Sequence, residues 1–225
     1  MPAAQRKPKF TAWSYSRWAV YDTCPFKAYN QFHLKLGGQK NAAMDRGTEV
    51  HKDGELYVKG RLGRLPKAFK AFAPQMKWLR ENEAIAEEQW TATKNFSGWT
   101  GWFSEDAWCR IKIDVHLELE GDILFVGDYK TGGVWGGGYE SQMSLYGLAG
   151  LKKYPNVHQV QTDLWFVDSG DIVTEVYHRE QERALEKQWL RATKAMLTDT
   201  SYQPKPGNHC SRCPFSKSKG GTCKY

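Results

Sequence analysis

No stretch of this sequence approaches the roughly 18 apolar residues of a helical membrane span. The first ten residues, Met1 to Phe10, also lack the apolar core of a signal peptide. The expectation is a protein that does not enter a membrane and stays in the cytoplasm. There is no P-loop, so a nucleotide-driven motor is not expected within the chain. Internal repeats and long low-complexity tracts are missing, which argues against a solenoid or a largely disordered chain. Cysteine is scarce, with five in 225 residues. Without a secretion signal, Cys24, Cys109, Cys210, Cys213 and Cys223 suggest metal ligation before disulfides.

What is present suits one compact domain. Hydrophobic residues make up 40% of the chain, and a domain of this size buries roughly 70% of the surface its unfolded chain exposes. Lys and Arg outnumber Asp and Glu by 32 to 25, giving a formal charge of +7. That excess favours a polyanionic partner without requiring one. Ten Trp residues suit base stacking and a Trp-rich core equally well.

Periodicity divides the chain into a helical lead and a mixed remainder. Ser14 or Ser16 is placed to cap a helix running towards Phe32, followed by helices over 42–58 and 66–82, the last with Pro66 in its first turn. Strands are expected over 87–93, 107–120 and 123–130, with Gly121-Asp122 turning the last two into a hairpin. A glycine-rich loop (Gly132, Gly133, Gly136, Gly137, Gly138) leads into a helix over 139–153. A second hairpin, 157–168 with 171–178, turns at Ser169-Gly170. A charged helix over 180–197 then precedes the tail that carries three cysteines. The expected fold class is α/β: a central mixed sheet flanked by helices. The expected division is a mainly helical lobe over 1–83, an α/β core over 84–200 and a cysteine-bearing tail over 201–225 that closes on Cys24.

One constellation carries chemistry. In 110–116, alternation places Ile111, Ile113 and Val115 on one face and Asp114 on the other. In the next strand, Leu124, Val126, Asp128 and Lys130 share a face, and hairpin pairing brings Asp114 near Asp128. Two carboxylates offer hard oxygen ligands to Mg²⁺ or Mn²⁺. A lysine ammonium beside them can orient a water and offset charge on phosphate oxygens. An isolated Asp-x-Lys is more often a surface ion pair.

This one is not isolated. Ile113-Asp114 with Gly127-Asp128-Tyr129-Lys130-Thr131-Gly132 resembles the core of the PD-(D/E)xK nucleases, in particular their RecB-like branch. Gly47-Thr48-Glu49-Val50-His51 resembles that branch's helical Gly-x-x-x-His element, and Gln142-Met143-Ser144-Leu145-Tyr146 its Gln-x-x-x-Tyr helix. The resemblance implies a restriction-endonuclease-like sheet. It implies His51, Asp114, Asp128 and Tyr129 as the metal-contacting set, and Asp114, Asp128, Lys130, Gln142 and Tyr146 as the catalytic residues. Glu55, one turn beyond His51, is placed either to orient the His51 ring or to form an exposed helix pair. Glu87 or Glu88 offers a further strand carboxylate, left outside the site.

The remaining cysteines fit the same branch, which is similar in this respect to the iron–sulfur CRISPR-associated RecB-like exonucleases and the AddB nuclease domain. One cysteine (Cys24, in Thr23-Cys24-Pro25-Phe26) precedes the core, and three (Cys210, Cys213, Cys223) follow it. The resemblance implies a [4Fe–4S] cluster; a structural Zn²⁺ uses the same ligands. His209 is a substitute ligand candidate, and Cys109 reads as a core thiol. For the nucleic acid itself, Trp135 is the leading stacking candidate, with Trp99 and Trp102 behind it. The basic run Lys59, Arg61, Arg64, Lys67 is placed either to track phosphates or as a solvated turn. The function so implied is a metal-dependent exonuclease acting on DNA ends or single strands, in recombination, repair or phage DNA metabolism, with any helicase or recombination partner separately encoded. A structure- or site-specific endonuclease with the same centre, and a non-catalytic nucleic-acid-binding subunit, are the alternatives.

Overall fold

Five strands lie side by side in chain order: β1 (Ile85–Ala92), β2 (Cys109–Leu119), β3 (Ile123–Lys130), β4 (Gln159–Phe166) and β5 (Asp171–His178). The structure is a computed structural model and describes residues 8–37, 42–134 and 138–225. Neighbouring strands are antiparallel except β3 and β4, which are parallel because helix α5 (Tyr139–Lys153) crosses between them. The β2–β3 hairpin turns at Gly121 and Asp122, both in the left-handed region (φ 77° and 57°).

Strand β3 shows how the two faces of the sheet are used. Leu124 and Val126 belong to one core cluster, Phe125 and Tyr129 to the other. The first face packs α5 and α6 (Glu182–Thr198), and takes in Tyr21 of α1 (Tyr15–Thr23) and Ala28 of α2 (Pro25–Ala28). The second packs α3 (Ala42–Val58) and α4 (Ala73–Glu81). The leading helices therefore divide between the two faces. Much of the tryptophan goes into the first core: Trp13 stacks on Trp189 at 5.5 Å and meets Trp108 edge-on at 5.5 Å. Cys109 is fully buried there, as its strand parity predicts, and burial pushes its thiol up.

Local chemistry explains where elements break. The single helix expected to run to Phe32 stops at Thr23, because Cys24 precedes a proline and is driven into extended backbone (φ −162°). Ser14 caps its start, accepting from the Arg17 N–H at 3.4 Å. The helix expected over 66–82 begins as a 3₁₀ segment, Lys67–Phe72, before α4. Both α3 and α5 take the boundaries their periodicity predicts.

One expectation is corrected. Ile111 and Ile113 lie in the first core, but Val115 lies in the second. Strand β1 does the same, with Trp90 in the first and Ala86 in the second. The switch falls where Glu87 adopts φ 58° opposite Asp114, between the paired positions Ala86↔Val115 and Glu88↔Ile113. A left-handed residue interrupts the pleat, so the alternation changes face without a shift in register. The β2–β3 ladder ends one residue away, at Val115↔Gly127. The sheet is thus locally opened at Glu87, Asp114 and the end of β3.

Helix α3 closes over that opening. A Cβ on Gly54 would stand 2.7 Å from the Tyr129 ring and 2.9 Å from Phe69, so only glycine lets the helix approach this closely. His51, one turn earlier, is thereby brought down onto the sheet. Among the described residues, no helix is long and apolar enough to cross a membrane.

Candidate active site

Asp114 is buried and fully engaged. Its Oδ2 accepts from the Tyr129 N–H at 2.8 Å, supplying the partner that the ended ladder withholds. Its Oδ1 lies 2.9 Å from His51 Nδ1. Glu87 joins them: one ligand atom each from His51, Glu87 and Asp114 lie within 4.8 Å of one another. Glu87 also pairs with Lys112.

Beside this trio lies a closed hydrogen-bonded array. Lys130 Nζ is 2.5 Å from Asp128 Oδ2 and donates to Gln142 Oε1 at 3.0 Å. Gln142 Nε2 donates to Asp128 Oδ1 at 3.1 Å and to the Tyr146 hydroxyl at 2.6 Å. The Tyr146 hydroxyl donates in turn to Asp128 Oδ1, also at 2.6 Å. The four-residue spacing in α5 puts Gln142 and Tyr146 on one helix face, against the end of β3. Asp128 Oδ2 is buried and, beyond its ion pair with Lys130, takes no well-aligned hydrogen bond among the described residues.

Burial sets the electrostatics. It raises the Asp114 carboxyl to about 6, and the Asp128 charge adds to the effect; His51 and the Tyr129 N–H pull the other way. Burial also opposes charge on His51 and Lys130, but Asp114 outweighs it for His51 and Asp128 for Lys130, so both are raised. The Tyr146 phenol is held well above its ordinary range by burial and by the carboxylates Asp128 and Asp114. It therefore remains a proton donor.

A cleft of about 560 Å³ opens from Gln142, Tyr146 and Lys112 towards Tyr15, Arg17 and Arg110. Another, of about 440 Å³, reaches Lys112 from the side of His51 and Glu87. Lys112 lines both clefts.

The sequence expectations fare unevenly. His51, Asp114, Asp128, Lys130, Gln142 and Tyr146 are brought together. Tyr129 contributes backbone to the site, while its side chain packs in the second core. Glu55 does not orient His51: it pairs with Lys52 at 2.9 Å and Lys59 at 2.8 Å, which hold its carboxyl down to about 2. Glu87, left outside the site by its sequence, stands within it. Glu88 instead turns to His116 at 2.6 Å and Trp90 at 2.5 Å. Tyr15 was not anticipated either; its hydroxyl donates to the Gly138 carbonyl at 3.1 Å, and its pKa, raised chiefly by burial, also feels Lys130. Trp135 lies outside the described residues. Trp99 packs beside the first core under Lys153, whereas Trp102 lines the larger cleft. None of Lys59, Arg61, Arg64 and Lys67 lines either cleft.

Far from this site in sequence, Cys24, Cys210, Cys213 and Cys223 line one small cavity with His209. The Cys24 sulfur accepts from the Lys205 N–H at 3.4 Å. Among the described residues, His209 Nε2 is buried without a hydrogen-bond partner.

Comparison with known proteins bears on the whole. Residues 110–218 match the family model of the PD-(D/E)XK nuclease superfamily. No curated protein matches the sequence. Among solved structures, a candidate exonuclease from Eubacterium rectale is similar in fold, with 13% identity and a TM-score of 0.54 over 90% of this chain and 87% of that one. SSO0001 is more distant, with 11% identity and a TM-score of 0.49 over 96% of this chain and 87% of that one. The matched segment contains Asp114, Asp128, Lys130, Gln142 and Tyr146, and the sheet is of the restriction-endonuclease-like type. Over residues 110–218, just under half of its length, the chain is thus similar in sequence to the PD-(D/E)XK nuclease superfamily.

Proposed function

We propose that the protein is a metal-dependent deoxyribonuclease that hydrolyses phosphodiester bonds from free DNA ends or in single strands. The observation that carries this reading is the juxtaposition of His51, Glu87 and Asp114 with the hydrogen-bonded array Asp128–Lys130–Gln142–Tyr146. The preference for ends rests on the resemblance to RecB-like exonucleases.

The donor set fits Mg²⁺ or Mn²⁺: two carboxylates and an imidazole lie within reach of one centre, and the buried Asp128 Oδ2 is the next available oxygen. A bound divalent ion supplies Lewis acidity and a water of lowered pKa. The chain's own residues do the rest. Lys130, held protonated, presents an ammonium where charge builds on the phosphate oxygens. Gln142 and Tyr146 fix Asp128 and Lys130 in one geometry, which lowers the cost of organising them during reaction.

At the other end of the chain, Cys24, Cys210, Cys213 and Cys223 are proposed to hold a [4Fe–4S] cluster as a staple, joining the start of the fold to its tail. Zinc–sulfur bonds of about 2.3 Å would draw four thiolates to about 3.8 Å apart.

Three outcomes are expected. With Mn²⁺ or Mg²⁺, the protein should shorten end-labelled linear single or double strands and spare covalently closed circles. Lys130→Ala should lose at least about a hundredfold in turnover, a typical loss for a group stabilising the transition state, yet still bind Mn²⁺. Cleavage of circles at the rate of linear DNA would replace the exonuclease with an endonuclease, and near-normal turnover by Lys130→Ala would remove that residue from the mechanism.

The second outcome concerns pH. Metal must displace the His51 proton and find Asp114 ionised, so affinity for Mn²⁺ should fall as pH drops through the raised His51 value and then through about 6. In metal-free protein the sign is opposite. Both groups bind protons more tightly folded than unfolded, so their contribution to stability is lost as pH rises through the same window. Thermal melting at pH 5.5 and pH 8, with and without Mn²⁺, should show the metal's stabilisation growing with pH. A pH-independent increment would contradict the assignment.

The third outcome concerns the cysteines. Protein purified without oxygen should be brown and carry iron with acid-labile sulfide, and Ala at any of the four positions should lose both and lower the melting temperature. Cys109→Ala should keep the cluster. Colourless protein with one zinc would establish the alternative metal, and unchanged stability in all four variants would end the staple.

A further inference from the structure

The larger cleft contains groups that the reacting centre does not use. Arg17 projects from α1 and Arg110 from the start of β2, and both line the cleft. Among the described residues neither forms an ion pair with a carboxylate, although most other buried or half-buried cations here do. Arg17 reaches only the Ala12 carbonyl, at 3.5 Å, and the face of Phe32. Arg110 donates from Nε to the Trp102 carbonyl at 2.8 Å, and its guanidinium lies 6.0 Å from the Trp102 ring centre. Burial, and after it the nearby Arg110, disfavours the charge on Arg17. An anion placed between them would relieve that repulsion.

The lining is also aromatic. Trp102 is held by Arg110, and Phe103 beside it is 92% exposed, the most exposed large hydrophobic side chain among the described residues. A lone exposed phenyl is unremarkable on a surface. This one lines a cleft together with two guanidinium groups that have no carboxylate partner among the described residues, and with Gln142 and Tyr146. Guanidinium groups flanked by stacking faces are what a strand of unpaired nucleotides requires: cations for its phosphates and rings for its bases. A duplex cannot use the rings in this way, because both faces of each base are already covered by neighbours.

We propose that this cleft is a subsite for single-stranded DNA, in which Arg17 and Arg110 hold a phosphate next to the scissile one and Phe103, backed by Trp102, stacks the base attached to it. The inference rests on the nuclease reading and deepens it: the preferred substrate is an unpaired end, and a duplex is used only once its end has frayed. Tyr15 lines the same cleft as Arg17 and is near enough to Lys130 to feel its charge.

The test uses full-length protein carrying Lys130→Ala, so that DNA is bound without being cut, with fluorescence anisotropy of labelled oligothymidylate and of a blunt duplex. Phe103→Ala, a substitution at a fully exposed position, should weaken oligothymidylate binding about tenfold, the scale of one lost base–aromatic stack. Selectivity for single strand over duplex should fall by the same factor. An abasic unit walked along the oligonucleotide should cost the Phe103 protein about that factor at one position and cost the Phe103→Ala protein nothing there. Arg17→Gln should weaken binding and flatten its salt dependence, with Arg17→Lys restoring part of both. If Phe103→Ala binds oligothymidylate as tightly as its parent, or responds to the abasic unit as its parent does, the subsite is wrong. Should the unsubstituted protein cut DNA normally while these variants are indistinguishable from it, the nuclease reading stands and this inference alone falls. Should the unsubstituted protein neither bind nor cut DNA, both fall.

Discussion

Negative charge gathered out of water is the constraint on which this structure depends. Glu87, Asp114 and Asp128 converge at one end of the sheet, and Asp114 and Asp128 are buried. Burying carboxylates is costly unless they are paired. Here the compensation is partial: Lys130 serves Asp128, Lys112 serves Glu87, and a His51 hydrogen bond serves Asp114. Asp114 carries the strain of that arrangement, with its carboxyl driven up to about 6. The arrangement is costly for a structural ion pair and well suited to holding a divalent cation, which offsets two or three carboxylates at once.

The fold makes this gathering possible by opening its sheet. Glu87 leaves the extended region and the β2–β3 ladder stops, so Asp114 can turn along the sheet to take the Tyr129 N–H. Gly54 lets α3 descend far enough to set His51 on Asp114. The β3–α5–β4 crossover lays α5 against the same strand end, bringing Gln142 and Tyr146 to Asp128 and Lys130. Three elements thus converge where the sheet is least regular, and each is positioned by a different local device.

Much of this was legible in the sequence, for reasons that differ by element. Helices α3 and α5 carry their motifs at helical spacing, so the motif and the element reinforce each other. Strand β3 and its turn at Gly121-Asp122 announce themselves through alternation and left-handed residues. The face switch did not, because alternation assumes an unbroken pleat and nothing in Glu87-Glu88 says which residue leaves it. Alternation therefore places Val115 on the wrong face and does not choose between Glu87 and Glu88 as a further carboxylate. Tyr15 and Arg17 were missed for another reason. They reach the cleft only through long-range packing of α1, with Tyr15 bonding to Gly138 across 123 residues. Glu55 was misplaced as a His51 partner because one-turn spacing permits that contact without selecting it over Lys52 and Lys59.

The central claim is that His51, Glu87 and Asp114 together hold a divalent ion, with Asp128 and Lys130 beside it. Anomalous diffraction from crystals soaked in Mn²⁺ tests it most directly. The account predicts a manganese peak within about 2.0–2.4 Å of a carboxylate oxygen of Asp114 and of Glu87, with His51 nitrogen in the same shell. A peak seated away from these three residues, or none at saturating Mn²⁺, would contradict it.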